Sequence, residues 1–102
     1  MGEIKKLQDR VWANKVSHGF NTTNVEREFN YTYAELSEAY EAYKKGEPTL
    51  GEELADVVFF TLSLAQMLDI DLEKELALKA DLNEKRRYKE LNGHHIHIKE
   101  NE

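Results

Sequence analysis

Two pairs of carboxylates carry the chemical interest of this 102-residue sequence: Glu35 with Glu38, and Glu53 with Asp56. Residues three apart share a helix face, so each pair spans about one turn. Two such pairs on adjacent antiparallel helices offer four oxygen ligands to a hard divalent cation. Magnesium, with manganese as the alternative, favours carboxylate oxygen and retained waters. The second pair is the more informative. At about 100° per residue, Glu53 and Asp56 project on the same side as Phe60, Leu64 and Met67. That side becomes apolar one turn later, so the acids stand on a face that leads into a core. Unpaired charge there is costly, and a metal ion or a Lys or Arg is the expected partner. Ordinary solvated helix faces show the same spacing, and acids near a helix start also favour its dipole. Glu41, Glu47 and Glu52 read as surface charge of that kind.

A second constellation is basic. Leu72, Leu76, Lys79, Asn83 and Arg86 follow a four-three-four-three pattern, one continuous helical stripe that begins with leucine and ends with cation and amide. Such a stripe marks the rim of a pocket in which Lys79 and Arg86 hold phosphate oxygens and Asn83 contacts a sugar or base. The same residues also suit snorkelling, with long stems over apolar surface and heads in water. The polar loop Asn21-Thr22-Thr23-Asn24 serves either substrate contact or helix capping. His94, His95 and His97 have the chemistry of transition-metal ligands, but in a flexible tail they read as incidental. No serine nucleophile motif, phosphate-binding glycine loop or zinc-ligand spacing is present.

The elements that must position these groups are helical. Apolar residues recur at helical spacing between Gly19, the Gly46–Gly51 stretch with Pro48, and Gly93. The first helix covers residues 3–17, with Ile4, Leu7, Val11 and Trp12 on one stripe and a glycine stop at Gly19. The second covers 24–45, opens on the capping box Thr23-x-x-Glu26 and carries Val25, Phe29, Tyr33, Leu36, Tyr40 and Tyr43. The third opens on Thr49-x-x-Glu52 and runs to residue 68. The fourth starts after Asp71 and runs to 92, closed by Gly93. Residues 1–93 thus form one domain, and 94–102 a polar, frayed tail. The fold class expected is all-α, an antiparallel four-helix bundle. Its third helix is apolar nearly all round, and Tyr40, Tyr43, Phe59 and Phe60 are costly on a free monomer. The core is therefore expected to be completed by dimerisation, in a homodimer or homotetramer.

Composition narrows the function. The chain is 40% hydrophobic and 33% charged, has no cysteine and carries a net charge of −6. Disulfides and thiol chemistry are excluded. Duplex nucleic-acid binding has little support, because it needs many cations facing phosphates. A phosphate-bearing small molecule needs a bound cation or a local basic cluster. Residues 1–10 are charged and lack a signal-peptide core, and the longest apolar run, 57–68, is too short to span a bilayer. A cytoplasmic protein without membrane or nucleic-acid polymer partners is expected.

The runs Ala34-Glu35-Leu36-Ser37-Glu38-Ala39 and Glu52-Glu53-Leu54-Ala55-Asp56-Val57 resemble the MazG-like all-α nucleoside triphosphate pyrophosphohydrolases. That family's pattern is Glu-Glu-x-x-Glu, a variable spacer, then Glu-x-x-Asp. Ile70-Asp71-Leu72-Glu73 and the run from Lys79 to Arg86 resemble its last helix. The likeness runs from the second helix through Arg86. Aligned with Glu35 as the last glutamate of the first motif, the chain has Tyr31 and Thr32 at the two earlier glutamates. Glu38 then substitutes, or the site has fewer protein ligands. The resemblance implies hydrolysis of a nucleoside triphosphate to the monophosphate and pyrophosphate, as nucleotide-pool house-cleaning. It implies Glu35, Glu53 and Asp56 as magnesium ligands, and Glu38 as ligand or as the base that activates water. Lys79 and Arg86 would hold the polyphosphate, and Asn83 the sugar or base. The alternatives are a nucleotide-binding or regulatory dimer with impaired turnover, and a helical dimerisation protein without a ligand.

Overall fold

Local signals set the helix ends. The computed structural model describes residues 2–91 and 94–98, with side chains for residues 2–86. Its elements are α1 (Glu3–His18), α2 (Val25–Lys45), α3 (Leu50–Met67) and α4 (Leu72–Lys85), then strands β1 (Arg87–Leu91) and β2 (His94–Ile98). Gly19 and Gly46 close α1 and α2 in the left-handed region, at φ 69° and 65°. There a residue with a Cβ is strained. Their turns let the Phe20 N–H reach the Lys15 carbonyl at 3.0 Å and the Glu47 N–H reach that of Ala42 at 2.9 Å. These bonds satisfy carbonyls that the helices leave open.

The starts differ from expectation in detail. Asn24, not Thr23, caps α2: its side chain accepts from the Arg27 N–H at 3.0 Å. Asn21 fixes Asn24 in turn, accepting its N–H at 3.1 Å and donating to its carbonyl at 2.8 Å. Thr49 is the cap residue of α3, but its side chain makes no capping bond.

The chain divides into two compact units, Met1–Leu72 and Glu73–Glu102. In the first, α3 packs against both α1 and α2. The buried apolar core is small: Ala39, Ala42, Leu62, Leu64 and Ala65. Equally deep are the polar side chains Gln8, Lys15, Glu28 and Ser63. The apolar stripe of α2 is exposed in the single chain, as expected for Tyr40 and Tyr43, and so is Phe59 of α3, whereas Phe60 is half-buried. Phe29, Tyr33, Leu36, Tyr40 and Tyr43 are all exposed, Tyr33 by 69%. The buried face of α2 is the neighbouring one, through Glu28, Ala39 and Ala42. On α1, the expected stripe of Ile4, Leu7, Val11 and Trp12 is half-buried, and Gln8 and Lys15 go deepest. Gln8 ties α1 to the end of α3, donating to the Gln66 side chain and the Ile70 carbonyl at 2.9 Å each.

In the second unit α4 ends at Lys85, short of the expected 92. An antiparallel ribbon follows, with Arg87 opposite Ile98 and Leu91 opposite His94. The expected all-α class holds for the four helices, and the ribbon is an addition to it. The physical reason is legible in retrospect. Asn-Gly is the dipeptide most favoured in a two-residue hairpin loop, and Asn92-Gly93 separates the strands. Gly93, read above as a helix stop, lies with Asn92 outside the described residues. Of the tail expected to fray, 94–98 forms β2 and 99–102 lies outside the described residues. Among the described residues no helix is long and apolar enough to cross a membrane.

Candidate metal centre

The packing of α2 on α3 brings together carboxylates that are far apart in sequence. Glu35 and Glu38 from α2 and Glu53 from α3 each offer an oxygen, and the three atoms lie within 4.8 Å of one another. Oxygens on opposite sides of a magnesium ion stand about 4.2 Å apart, twice the metal–oxygen bond. Among three ligands at most one pair is opposite and adjacent oxygens stand about 3.0 Å apart, so the trio would draw in by up to about 2 Å to hold such an ion. The donor set is all carboxylate, which fits a hard cation. Glu35 and Glu53 are half-buried and Glu38 is exposed.

The electrostatics point the same way. Partial burial, then the charges of Glu38 and Asp56, a hydrogen bond with Glu38 and the charge of Glu53, hold the Glu35 carboxyl above its ordinary value. Glu53 is also raised, by desolvation first and then by Glu38, Asp56, Glu52 and Glu47. Crowded like charges of this kind favour uptake of a proton or a cation. Asp56 is exposed and outside the close trio, yet its field reaches both groups.

Glu35, Glu38 and Asp56 line a groove of about 1490 Å³ within the first unit. One turn before Glu35 and one turn after Asp56, Tyr31 and Phe60 meet edge to face, with ring centroids 6.0 Å apart. An aromatic step thus adjoins the acidic step along the same groove. Arg10, Asn14 and Arg27 also line it and supply cationic and amide groups opposite in character to the acids.

Lys79, Asn83 and Arg86 belong to the second unit. Lys79 and Asn83 are exposed and Arg86 is half-buried. The Arg86 guanidinium donates to the Asn83 side-chain oxygen at 3.2 Å. Its Nε is buried and has no hydrogen-bond partner among the described residues. These two residues of the basic stripe are joined as their three-residue spacing allows.

A buried polar cluster on the groove escaped the sequence reading. Lys15 Nζ donates to Glu28 Oε2 at 2.5 Å and to Ser63 Oγ at 2.6 Å. Ser63 donates to the same Glu28 oxygen at 2.7 Å, and Asn21 donates to the other at 3.1 Å. Burial pushes the Glu28 carboxyl up, but the hydrogen bonds of Lys15, Ser63 and Asn21, with the Lys15 charge, outweigh it and hold the group below its ordinary value. The cluster joins all three helices of the unit. One signal was available: Lys15 falls four residues after Val11, on the apolar stripe of α1, where a cation demands a partner. Comparison with protein families, curated proteins and solved structures found no match for this chain.

Proposed function

We propose that this chain is a MazG-like, magnesium-dependent nucleoside triphosphate pyrophosphohydrolase, acting in the cytoplasm as a homodimer or homotetramer. The observation that carries the reading is the meeting of Glu35, Glu38 and Glu53 from two helices within 4.8 Å. It also favours a different register of the family pattern. Glu35 and Glu38 are spaced as the second and last glutamates of Glu-Glu-x-x-Glu, with Ala34 at the first. Thr32 and Tyr31, which the earlier register placed at glutamate positions, are otherwise engaged: the Thr32 hydroxyl donates to the Glu28 carbonyl at 2.8 Å, and Tyr31 packs on Phe60.

In this reading Glu35, Glu53 and Asp56 hold the metal, with Glu38 as ligand or base. Bound magnesium would neutralise the phosphate oxygens and orient them. A water oxygen bonds to the α-phosphorus, and its proton passes to the Glu38 carboxylate. The bond from the α-phosphorus to the bridging oxygen breaks, and pyrophosphate leaves with the electron pair. The family resemblance gives Lys79 and Arg86 to the polyphosphate and Asn83 to the sugar or base. Tyr31 and Phe60 provide an apolar wall for the base. The exposed stripe Phe29, Tyr33, Leu36, Tyr40 and Tyr43 repeats at four-three-four-three spacing, a helix-pairing seam about 21 Å long. A second copy of the chain covers it in the assembly.

The test is a panel of nucleoside triphosphates with magnesium, assayed for pyrophosphate. Release by the wild type and its loss in Glu53→Ala support the reading; full activity in that variant removes the site. Ala34 at a family glutamate favours one second reading, a nucleotide-binding or regulatory dimer with impaired turnover. That reading predicts no pyrophosphate but a higher melting temperature with magnesium and a non-hydrolysable nucleotide.

A further inference from the structure

The contact line between α2 and α3 is a series of matched pairs. Ser63 donates to Glu28 at 2.7 Å, Tyr31 meets Phe60 edge to face, Glu35 feels the charge of Asp56, and Glu38 and Glu53 share the acidic cluster. Each step of three or four residues forward on α2 is matched by an equal step back on α3. The residue that follows a member of the line is turned about 100° away from it. Because the two helices step in opposite directions, those residues turn to the same side of the pair. From Phe29 to Ala39 on α2, and from Leu54 to Leu64 on α3, every one of them is uncharged. The opposite side, through Arg27, Ala34 and Phe59, lines the groove shared with α1.

Much of the uncharged side is exposed. At roughly 200 Å² for a whole aromatic side chain, Phe29 and its neighbours Tyr33, Tyr40 and Tyr43 expose roughly 480 Å². Leu36, Leu54 and Val58 bring the face close to the roughly 800 Å² that each partner of a stable complex buries. Two helices with one apolar side are half of a four-helix bundle, and a twofold axis pairs such a face with itself. A twofold also sets like residues near one another, so in a chain of net charge −6 an uncharged face suits a second copy.

The face is tied to the acids by the chain itself. Leu36, Ala39, Leu54 and Val57 directly follow Glu35, Glu38, Glu53 and Asp56. Like charges across the contact line press α2 and α3 apart and spread the face, whereas a cation between them draws the helices together. We propose, on the reading of the acidic cluster as a magnesium site, that magnesium uptake and self-association through this α2–α3 face are linked, each strengthening the other. Such linkage is reciprocal: if magnesium tightens the dimer, the dimer must tighten magnesium.

The test is sedimentation of the full chain over a range of concentrations, in chelator and in saturating magnesium at matched ionic strength, with calorimetry of magnesium binding alongside. Magnesium should tighten the wild-type dimer by roughly 5-fold or more. Glu53→Gln should dimerise at least as well as wild type in chelator and show no response to magnesium. Leu54→Ser and Tyr33→Ser should each weaken the dimer by roughly 10-fold, with the helical circular-dichroism signal retained. As monomers they should bind magnesium more weakly than the wild-type dimer by roughly 2-fold or more, since two sites share the effect on one dimer. Magnesium that binds without tightening the dimer overturns the linkage. So does a magnesium response in Glu53→Gln, or undiminished self-association in either serine variant. Absence of magnesium binding removes the metal centre and the linkage with it, whereas pyrophosphate release beside an unresponsive dimer removes the linkage alone.

Discussion

Neutralising one carboxylate of the acidic trio should stabilise the protein without metal and remove its response to metal. A like charge 4.8 Å away, the widest separation in the trio, costs Glu35 about 0.9 kcal/mol at the dielectric constant of water. Salt reduces that figure further, and Glu35 is only half-buried, so a net gain of about 1 kcal/mol is expected for Glu35→Gln at low ionic strength. For a domain near 100 residues this raises the melting temperature by roughly 4 °C. Wild type should gain about 1.4 kcal/mol from magnesium at ten times its dissociation constant, while the variant gains little. The order of melting temperatures therefore reverses between chelator and magnesium. The sign has a pH counterpart. Glu35 binds its proton more tightly when folded, so metal-free stability rises as pH falls through its raised folded value toward the ordinary 4.5. Thermal denaturation in chelator and in magnesium, at low and high salt, measures all of this. A lower metal-free melting temperature for Glu35→Gln, or an equal magnesium shift in both proteins, would refute the argument.

Four more outcomes follow from the same geometry. Lys15→Met leaves the Glu28 carboxylate buried without its cation and should cost about 3 kcal/mol by urea denaturation near neutral pH, with partial recovery in acid as Glu28 takes a proton. In wild type the lowered Glu28 value contributes stability that is complete above its unfolded value and lost as pH falls through the folded one. Melting temperatures between about pH 6 and pH 3 should show that loss below about pH 4.5, against the opposite slope from Glu35. Leu36→Glu on the exposed α2 stripe should weaken self-association by roughly 10-fold or more, read by sedimentation, with helix content retained. Gly46→Ala should cost about 1 kcal/mol of thermal stability through backbone strain alone, because a Cβ at that position meets nothing within 4 Å.

What the residues disclosed by themselves was local. Gly19 and Gly46 end helices because a left-handed residue is needed there, and that requirement is met within one turn. The spacing of Glu35 with Glu38 put both on one helical turn for the same reason. The ribbon was also local, and the dipeptide Asn92-Gly93 announced it; it was missed because glycine also ends helices. Which face of a helix goes inside was not local. The α2 stripe from Phe29 to Tyr43 and the face through Glu28, Ala39 and Ala42 run side by side along one cylinder. Only the approach of α3 chose between them, because burial is a property of the neighbour as much as of the residue. The same approach carried Glu53 to Glu35 and Glu38, and Ser63 to Glu28 and Lys15. Charges are matched across space, and a sequence records only where they lie along the chain.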